Sequence, residues 1–161
     1  MTTTSDHSRA WQIHGKDVTE DFKDEKQRAK CRQMIIEEKP SLLVGSPMCT
    51  IFNALQNLNR PKMGEAKWKI AWDHGMKHLL FAFEMYEIQI KAGRYFLHEH
   101  PNSATSWHVP EIVQLMSKYD LTKTTVHMCM YGMRGKDKIG EGPIKKPTGW
   151  LTNSDWITSA M

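Results

Sequence analysis

Segments with a helical residue pattern alternate with short strand patterns along this chain, and this alternation restricts the folds that the chain can adopt. The helical patterns span residues 19–38, 64–93 and 109–120, and the strand patterns span 41–45, 94–101 and 122–132. An order of helix, strand, helix, strand, helix, strand is typical of folds in which helices connect parallel strands. The sequence therefore predicts an α/β fold with a mostly parallel sheet and helices on both faces.

The ends of these segments carry residues that start or stop regular structure. Thr19 is a suitable N-cap for the first helix, and Pro40 lies just beyond its end. Gly93 ends the second helix, and Pro110 falls in the first turn of the third. The Gly- and Lys-rich stretch after residue 132 predicts a loop leading into a final strand or hairpin.

Length and composition predict a single globular domain. The chain has 161 residues, of which 40% are hydrophobic and 25% charged, which excludes a disordered chain. Residues 1–14 are expected to be a flexible N-terminal segment, and residues 15–161 a single α/β domain. The N-terminus lacks the apolar stretch of a signal peptide, and no apolar run is long enough to cross a membrane. Three cysteines without a CxxC pair favour a reducing compartment, so we expect an intracellular protein without a membrane segment.

Cys49 lies just beyond a predicted buried strand, in the stretch "GSPMCT". In an open α/β sheet, ligands bind outside the carboxyl ends of the strands, and a thiol there can act as a nucleophile. Cysteine is also among the most frequently buried residue types, so the alternative is an inert core residue.

Glu99 ends the next predicted strand, just before Pro101, with His98 and His100 on the opposite face of that strand. A carboxyl group among apolar residues can hold a proton and act as a general acid or bind a base ring. The alternative is an acid paired with Arg94 or with a lysine. A hydrolase that combines Cys49 with His98 or His127 is also open.

Histidines and lysines suggest two further sites. His98, His100 and His108, or His74 with His78 on the long helix, could begin a metal site, but no complete ligand motif is present and we expect no metal. Four lysines lie in a Gly-rich stretch near Trp150, where they could neutralise phosphates or form a solvated face. They are Lys136, Lys138, Lys145 and Lys146.

Three motifs, in this order, resemble the catalytic half of the DNA (cytosine-5)-methyltransferases, particularly divergent phage- and retroelement-associated relatives. The first is residues 45–53, "GSPMCTIFN", which is similar to the Pro-Cys loop of that family. The second is residues 99–101, "EHP", in the place of the family's Glu-Asn-Pro/Val signature. The third comprises "CMYG" at 129–132, "KPT" at 146–148 and the pair Thr152-Asn153. The resemblance covers roughly residues 15–155.

This resemblance implies a partial Rossmann-like methyltransferase sheet and S-adenosylmethionine-dependent methylation of cytosine at C5 in DNA. It implies that Cys49 is the nucleophile that adds to C6 and that Glu99 binds N3 of the base. It further places Asp17 at a cofactor-binding position. The implied substrate-binding residues are Pro47, Thr50, Pro101, Lys145, Lys146 and Thr148.

Some positions depart from the family pattern. Met48 replaces the proline that precedes the cysteine, Asn53 replaces a serine, and His100 replaces the asparagine. No F-x-G-x-G turn for S-adenosylmethionine occurs in the chain. We therefore expect a fragment of a larger enzyme that is inactive alone, completed by an N-terminal half or by self-association. A catalytically degenerate nucleic-acid-binding module and a cysteine hydrolase are the alternatives.

Overall fold

The computed structural model describes residues 10–14, 22, 24–136, 138 and 140–161. Within those residues the strands are β1 (Ala10–His14), β2 (Leu42–Ser46), β3 (Tyr95–Pro101), β4 (Lys123–His127), β5 (Arg134–Lys136), β6 (Glu141–Pro143) and β7 (Pro147–Thr152). The helices are α1 (Glu25–Glu38), α2 (Gln56–Met63), α3 (Glu65–Lys91), α4 (Pro110–Lys118) and α5 (Asp155–Ser159).

Five of these strands form one mixed sheet, in the order β1-β2-β3-β7-β4. Strand β2 pairs in parallel with β1 and β3, whereas β7 pairs antiparallel with β3 and β4. The predicted α/β class is confirmed, but two of the four pairings are antiparallel, so the sheet is not mostly parallel. The reason lies in residues 128–146, which contain the β5–β6 hairpin instead of the crossover helix that a parallel return requires.

Strand β1 lies within the segment 1–14 that the sequence analysis separates from the domain. Its residues 10–14 pair in register with residues 42–46 of β2. The sheet of the domain therefore includes residues 10–14.

No helix in the described part of the chain is both long enough and apolar enough to span a membrane.

The predicted helices are present with shorter boundaries. Asp24 caps helix α1, and its carboxylate accepts a hydrogen bond from the Lys26 amide at 3.0 Å. The predicted cap Thr19 lies outside the described residues. Helix α3 covers nearly all of the predicted long helix, and Gly93 follows it with a positive φ of 67°. Pro110 opens α4 as predicted.

Helices α1 to α4 lie together on one face of the sheet. Helix α3 contacts β2 and β3, and α1, α2 and α4 contact α3. On the other face, Val44, Leu97, Glu99 and Trp150 are half-buried. The prediction of helices on both faces is therefore wrong for α1 to α4, which share one face. After β4 the chain forms the β5–β6 hairpin instead of a helix that would cross to the second face.

Tyr86 of α3 is the centre of the core between helix and sheet. It is fully buried, and its ring stacks on Phe96 of β3 with centroids 4.6 Å apart. Steps of three, four or seven residues along 64–93 predict a buried apolar stripe made of Ile70, Met76, Leu80, Phe83 and Ile90. Phe83 is buried as predicted, whereas Ile70 is 72% exposed. Ile70 lies in the amino-terminal third of α3, away from the sheet-packed part of the helix that contains Tyr86.

The close approach of Tyr86 to β2 requires a glycine at position 45. A Cβ atom at Gly45 would lie 1.8 Å from the Tyr86 hydroxyl oxygen. We expect Gly45→Ala to lower the free energy of unfolding by about 1–3 kcal/mol, the usual cost of overpacking a core. Urea denaturation measures this change. Gly142→Ala is the matched control, because a Cβ there meets nothing within 4 Å. Equal stability of the two variants would contradict the packing described here.

Candidate active site at the carboxyl ends of β2 and β3

The parallel register of β2 and β3 brings Ser46 next to Glu99. Gly45 pairs with His98, so the next residue on each strand lies at the same edge of the sheet. The Ser46 hydroxyl donates a hydrogen bond of 2.6 Å to the Glu99 carboxylate, whose side chain is 20% exposed. The Glu99 carboxylate of β3 is thus held half-buried against the end of β2, the strand that leads to Cys49.

Lys146, just before β7, and Trp150, in the middle of β7, are the other neighbours of Glu99. The Lys146 ammonium lies 3.8 Å from the second Glu99 oxygen, so Glu99 forms an ion pair with a lysine. Arg94, the other predicted partner of Glu99, donates its hydrogen bond to Gln89 instead. Because Lys146 is about half exposed, this pair contributes less than about 1 kcal/mol to stability. Trp150 lies directly opposite Glu99 on the same face, and its indole N–H is buried without a hydrogen-bond partner in the described part of the chain.

Cys49 is half-buried in a loop that is anchored on its carboxyl side. Its carbonyl accepts a hydrogen bond from the Phe52 amide at 3.0 Å, which forms the short 3-10 turn Thr50–Phe52. Ile51 and Phe52 are buried in the core. Cys49 is not part of a disulfide. The thiol therefore sits at the rim of the core, just before two buried anchor residues.

His100 connects this loop to β3 through both ring nitrogens. Nε2 lies 3.1 Å from the Pro47 carbonyl oxygen, and Nδ1 lies 2.7 Å from the Ser106 hydroxyl. A carbonyl only accepts, so Nε2 carries the proton; in the neutral ring Nδ1 then accepts from Ser106. Burial lowers the pKa of His100, although the Pro47 carbonyl and the charge of Glu99 act in the opposite direction.

His98 is a core residue on the helix-covered face. Its Nδ1 lies 3.1 Å from the Tyr86 hydroxyl, and its ring contacts Phe83 and Trp107 edge-on. Burial, and secondarily the neighbouring His100, hold the pKa of His98 well below its usual value. This face is opposite to that of Glu99, as the alternation along the strand predicts.

A thiol–imidazole pair for hydrolysis is not formed in the described part of the chain. No hydrogen bond among the described residues joins the Cys49 thiol to a histidine; His98 and His100 bind Tyr86, Ser106 and Pro47. His127 ends β4, three strand positions from β2, which corresponds to roughly 14 Å at the usual strand spacing. The described residues also contain no group of three or more His, Cys, Asp or Glu side chains that could hold a metal ion.

The other predicted site residues differ in their surroundings. Thr50 and Lys145 are exposed. The Pro101 carbonyl accepts a hydrogen bond of 2.8 Å from the Trp107 indole. Thr148 is fully buried opposite Pro101, and its hydroxyl lies 3.5 Å from the Lys146 carbonyl. Asp17 lies outside the described residues.

Sequence reasoning missed Ser46 and Ser106, the two hydroxyl groups that hold Glu99 and His100. Ser46 was visible as part of "GSP", but its role depends on the register between β2 and β3. Ser106 comes close to His100 only because the chain turns sharply after Pro101. No local sequence signal marks either contact.

The site thus has a half-buried carboxylate and a nearby lysine at the carboxyl end of β3, and the loop that carries Cys49 begins directly after Ser46, which binds that carboxylate. Such a group can add a thiolate to an electron-poor ring while the carboxyl group binds a ring nitrogen. No family model, curated protein or solved structure matches this chain. The chemistry of the site therefore has to be inferred from its geometry.

The buried histidines predict that the protein loses stability as the pH falls. His98 is neutral when folded but protonates below its ordinary pKa of about 6.5 when unfolded, so unfolding takes up a proton in that range. The stability that neutral His98 contributes is present in full above pH 6.5. Below pH 6.5 the free energy of unfolding decreases by up to about 1.4 kcal/mol for each pH unit. Urea denaturation between pH 7 and pH 5 should show this slope. His98→Phe should reduce the slope, whereas replacing the exposed His108 with Gln should leave it unchanged.

Proposed function

We propose that this chain carries the nucleophile and the base-binding carboxylate of a DNA (cytosine-5)-methyltransferase. The observation that supports this best is the 2.6 Å hydrogen bond from Ser46 to Glu99, which joins the strand before Cys49 to the strand that carries the carboxylate. Four of the five strands of the sheet run in one direction, since β4 and β3 are both antiparallel to β7. This arrangement is compatible with a partial Rossmann-like methyltransferase sheet.

In the proposed reaction the Cys49 thiolate forms a bond to C6 of cytosine. The electron pair of the C5–C6 double bond forms a double bond between C4 and C5, the C4–N3 pi pair moves onto N3, and the Glu99 carboxyl group in its acid form donates its proton to N3. C5 thereby becomes a nucleophilic carbon. The target base has to leave the stack of the duplex first, because a stacked base exposes neither face to a thiolate.

The proposal assigns no site for S-adenosylmethionine to the described residues. Two clefts of about 470 and 320 Å³ lie on the helical side of the fold and include neither Cys49 nor Glu99. Residues 15–21, which follow β1 and include Asp17, lie outside the described residues. In this proposal another segment or a second chain holds the cofactor.

Exchange of the hydrogen at C5 tests the proposed steps without a cofactor. Addition of the Cys49 thiolate at C6 makes C5 basic enough to take a proton from water. Loss of the original C5 hydrogen and expulsion of the thiolate then restore cytosine. An oligonucleotide duplex with tritium at cytosine C5 should therefore release tritium to water in the presence of the chain.

Two variants should separate the roles of the two residues. Cys49→Ser should reduce tritium release to background, and Glu99→Gln should slow it by about 10²–10⁴-fold, the usual range for general acid–base catalysis. Cys129→Ser and Glu87→Gln are the matched controls and should retain the parent rate. Release that does not depend on Cys49 would contradict the proposal.

A catalytically inactive nucleic-acid-binding module is the second candidate, supported by exposed lysines beside the site. Lys145 is exposed and Lys146 is half exposed next to Glu99. If Lys145 contacts a phosphate, Lys145→Ala should weaken DNA binding and reduce the slope of log K against log salt by about 0.9. Fluorescence anisotropy at several salt concentrations measures this slope, with Lys67→Ala on α3 as the control. Salt-dependent binding that persists without any tritium exchange would favour this second candidate.

A further inference from the structure

The loop that carries Cys49 is attached at two points to one short segment of the chain. Before the cysteine, the Pro47 carbonyl accepts the N–H of His100 at 3.1 Å. After it, the Phe52 carbonyl accepts the hydroxyl of Thr105 at 3.2 Å. Both donors belong to residues 100–105, so the loop is held from both sides of the cysteine by the same segment.

We infer that His100 is a positioning residue that holds the loop from Pro47 to Phe52 in the conformation that presents the Cys49 thiol at the edge of the sheet. This inference rests on the proposed role of Cys49 as a nucleophile. His100 itself touches no reacting group in the proposed mechanism. It acts through the Pro47 carbonyl, two residues before the cysteine.

The surroundings of His100 hold the ring in a single orientation and tautomer. Ser106, which is 2% exposed, lies 2.7 Å from Nδ1 and leaves the proton on Nε2, facing Pro47. The segment is further held by the Trp107 indole, which donates to the Pro101 carbonyl at 2.8 Å. The ring is fully buried and lies beside Phe52, with centroids 5.9 Å apart.

This role accounts for a departure from the family pattern. Members of the DNA (cytosine-5)-methyltransferase family have a proline directly before the cysteine, and a proline fixes its own backbone angle φ. Met48 leaves that angle free. In this chain a tertiary hydrogen bond from His100 takes over the restraint that a proline supplies locally.

Two substitutions of His100 distinguish this role from a contribution to packing. The amide nitrogen of a glutamine reaches as far as imidazole Nε2, so His100→Gln can still donate to the Pro47 carbonyl. The amide of an asparagine ends near the position of Nδ1, so His100→Asn can contact Ser106 but not Pro47. Both variants replace a buried ring with a primary amide, which makes them matched controls for each other.

Amide hydrogen exchange provides a readout that needs neither DNA nor cofactor. The Phe52 amide donates to the Cys49 carbonyl and the Asn53 amide donates to the Thr50 carbonyl, so both report on the order of the loop. In His100→Asn these two amides should exchange roughly fivefold faster or more, as expected from the loss of one hydrogen bond. In His100→Gln they should stay within about twofold of the parent rate.

The Tyr95 amide, which donates to the Ser41 carbonyl at the other end of the same strands, controls for general destabilisation. Its exchange should not change in either variant relative to the parent. The inference is overturned if the loop amides respond equally to glutamine and asparagine, or if the Tyr95 amide accelerates by the same factor as the loop amides.

Ser106→Ala provides an independent test if the asparagine variant does not fold. Without Ser106 the ring is no longer held in the Nε2–H tautomer, so the Phe52 and Asn53 amides should exchange about three- to fivefold faster while the Tyr95 amide is unchanged. Unchanged loop amides in this variant would overturn the inference. Tritium release serves as a second readout, which should fall in His100→Asn and persist in His100→Gln. A parent protein that releases no tritium counts against the proposed function, whereas the exchange data still decide the role of His100.

Discussion

The parallel pairing of β2 and β3 beneath helix α3 is the constraint on which the rest of the structure depends. A parallel pair requires a long crossover, and the 27-residue helix α3 provides most of it. The crossover returns the chain so that both strands end at the same edge of the sheet. Ser46 and Glu99 meet for this reason, although 53 residues separate them along the chain. An antiparallel pair would have placed them at opposite ends.

The alternation of side chains along β3 divides the work of that strand between two environments. His98 and His100 face the helices, where burial keeps them neutral, and Glu99 faces the other side, where it keeps partial contact with solvent. The buried histidines are part of the packing and of the hydrogen-bond network around the loop. The carboxylate remains accessible to a ligand. One short strand therefore supplies both the packing contacts around the loop and the half-exposed carboxylate.

The sequence predicted the elements of the fold better than their arrangement. The pattern around α3 and the glycine after it defined the helix almost completely, because helix boundaries depend on local capping and spacing. The helical period places Ile70 on the buried stripe because the period continues past the part of α3 that packs on the sheet. The direction of β7 was not predictable, since it depends on the hairpin of β5 and β6, whose short strands leave only a weak pattern. The neighbours of Glu99 were likewise hidden, because Ser46 and Lys146 approach it only through strand register.

The sequence by itself determined the α/β class, the position of Cys49 beyond a strand and the opposite facing of Glu99 and its flanking histidines. Each of these follows from local periodicity or from the order of segments, which the chain carries in its residue pattern. The tertiary structure alone decided that the sheet is mixed, that Ser46 binds Glu99, and that His100 holds the loop before Cys49. These features arise from strand order, register and side-chain packing between distant segments, and no stretch of local sequence encodes such distances.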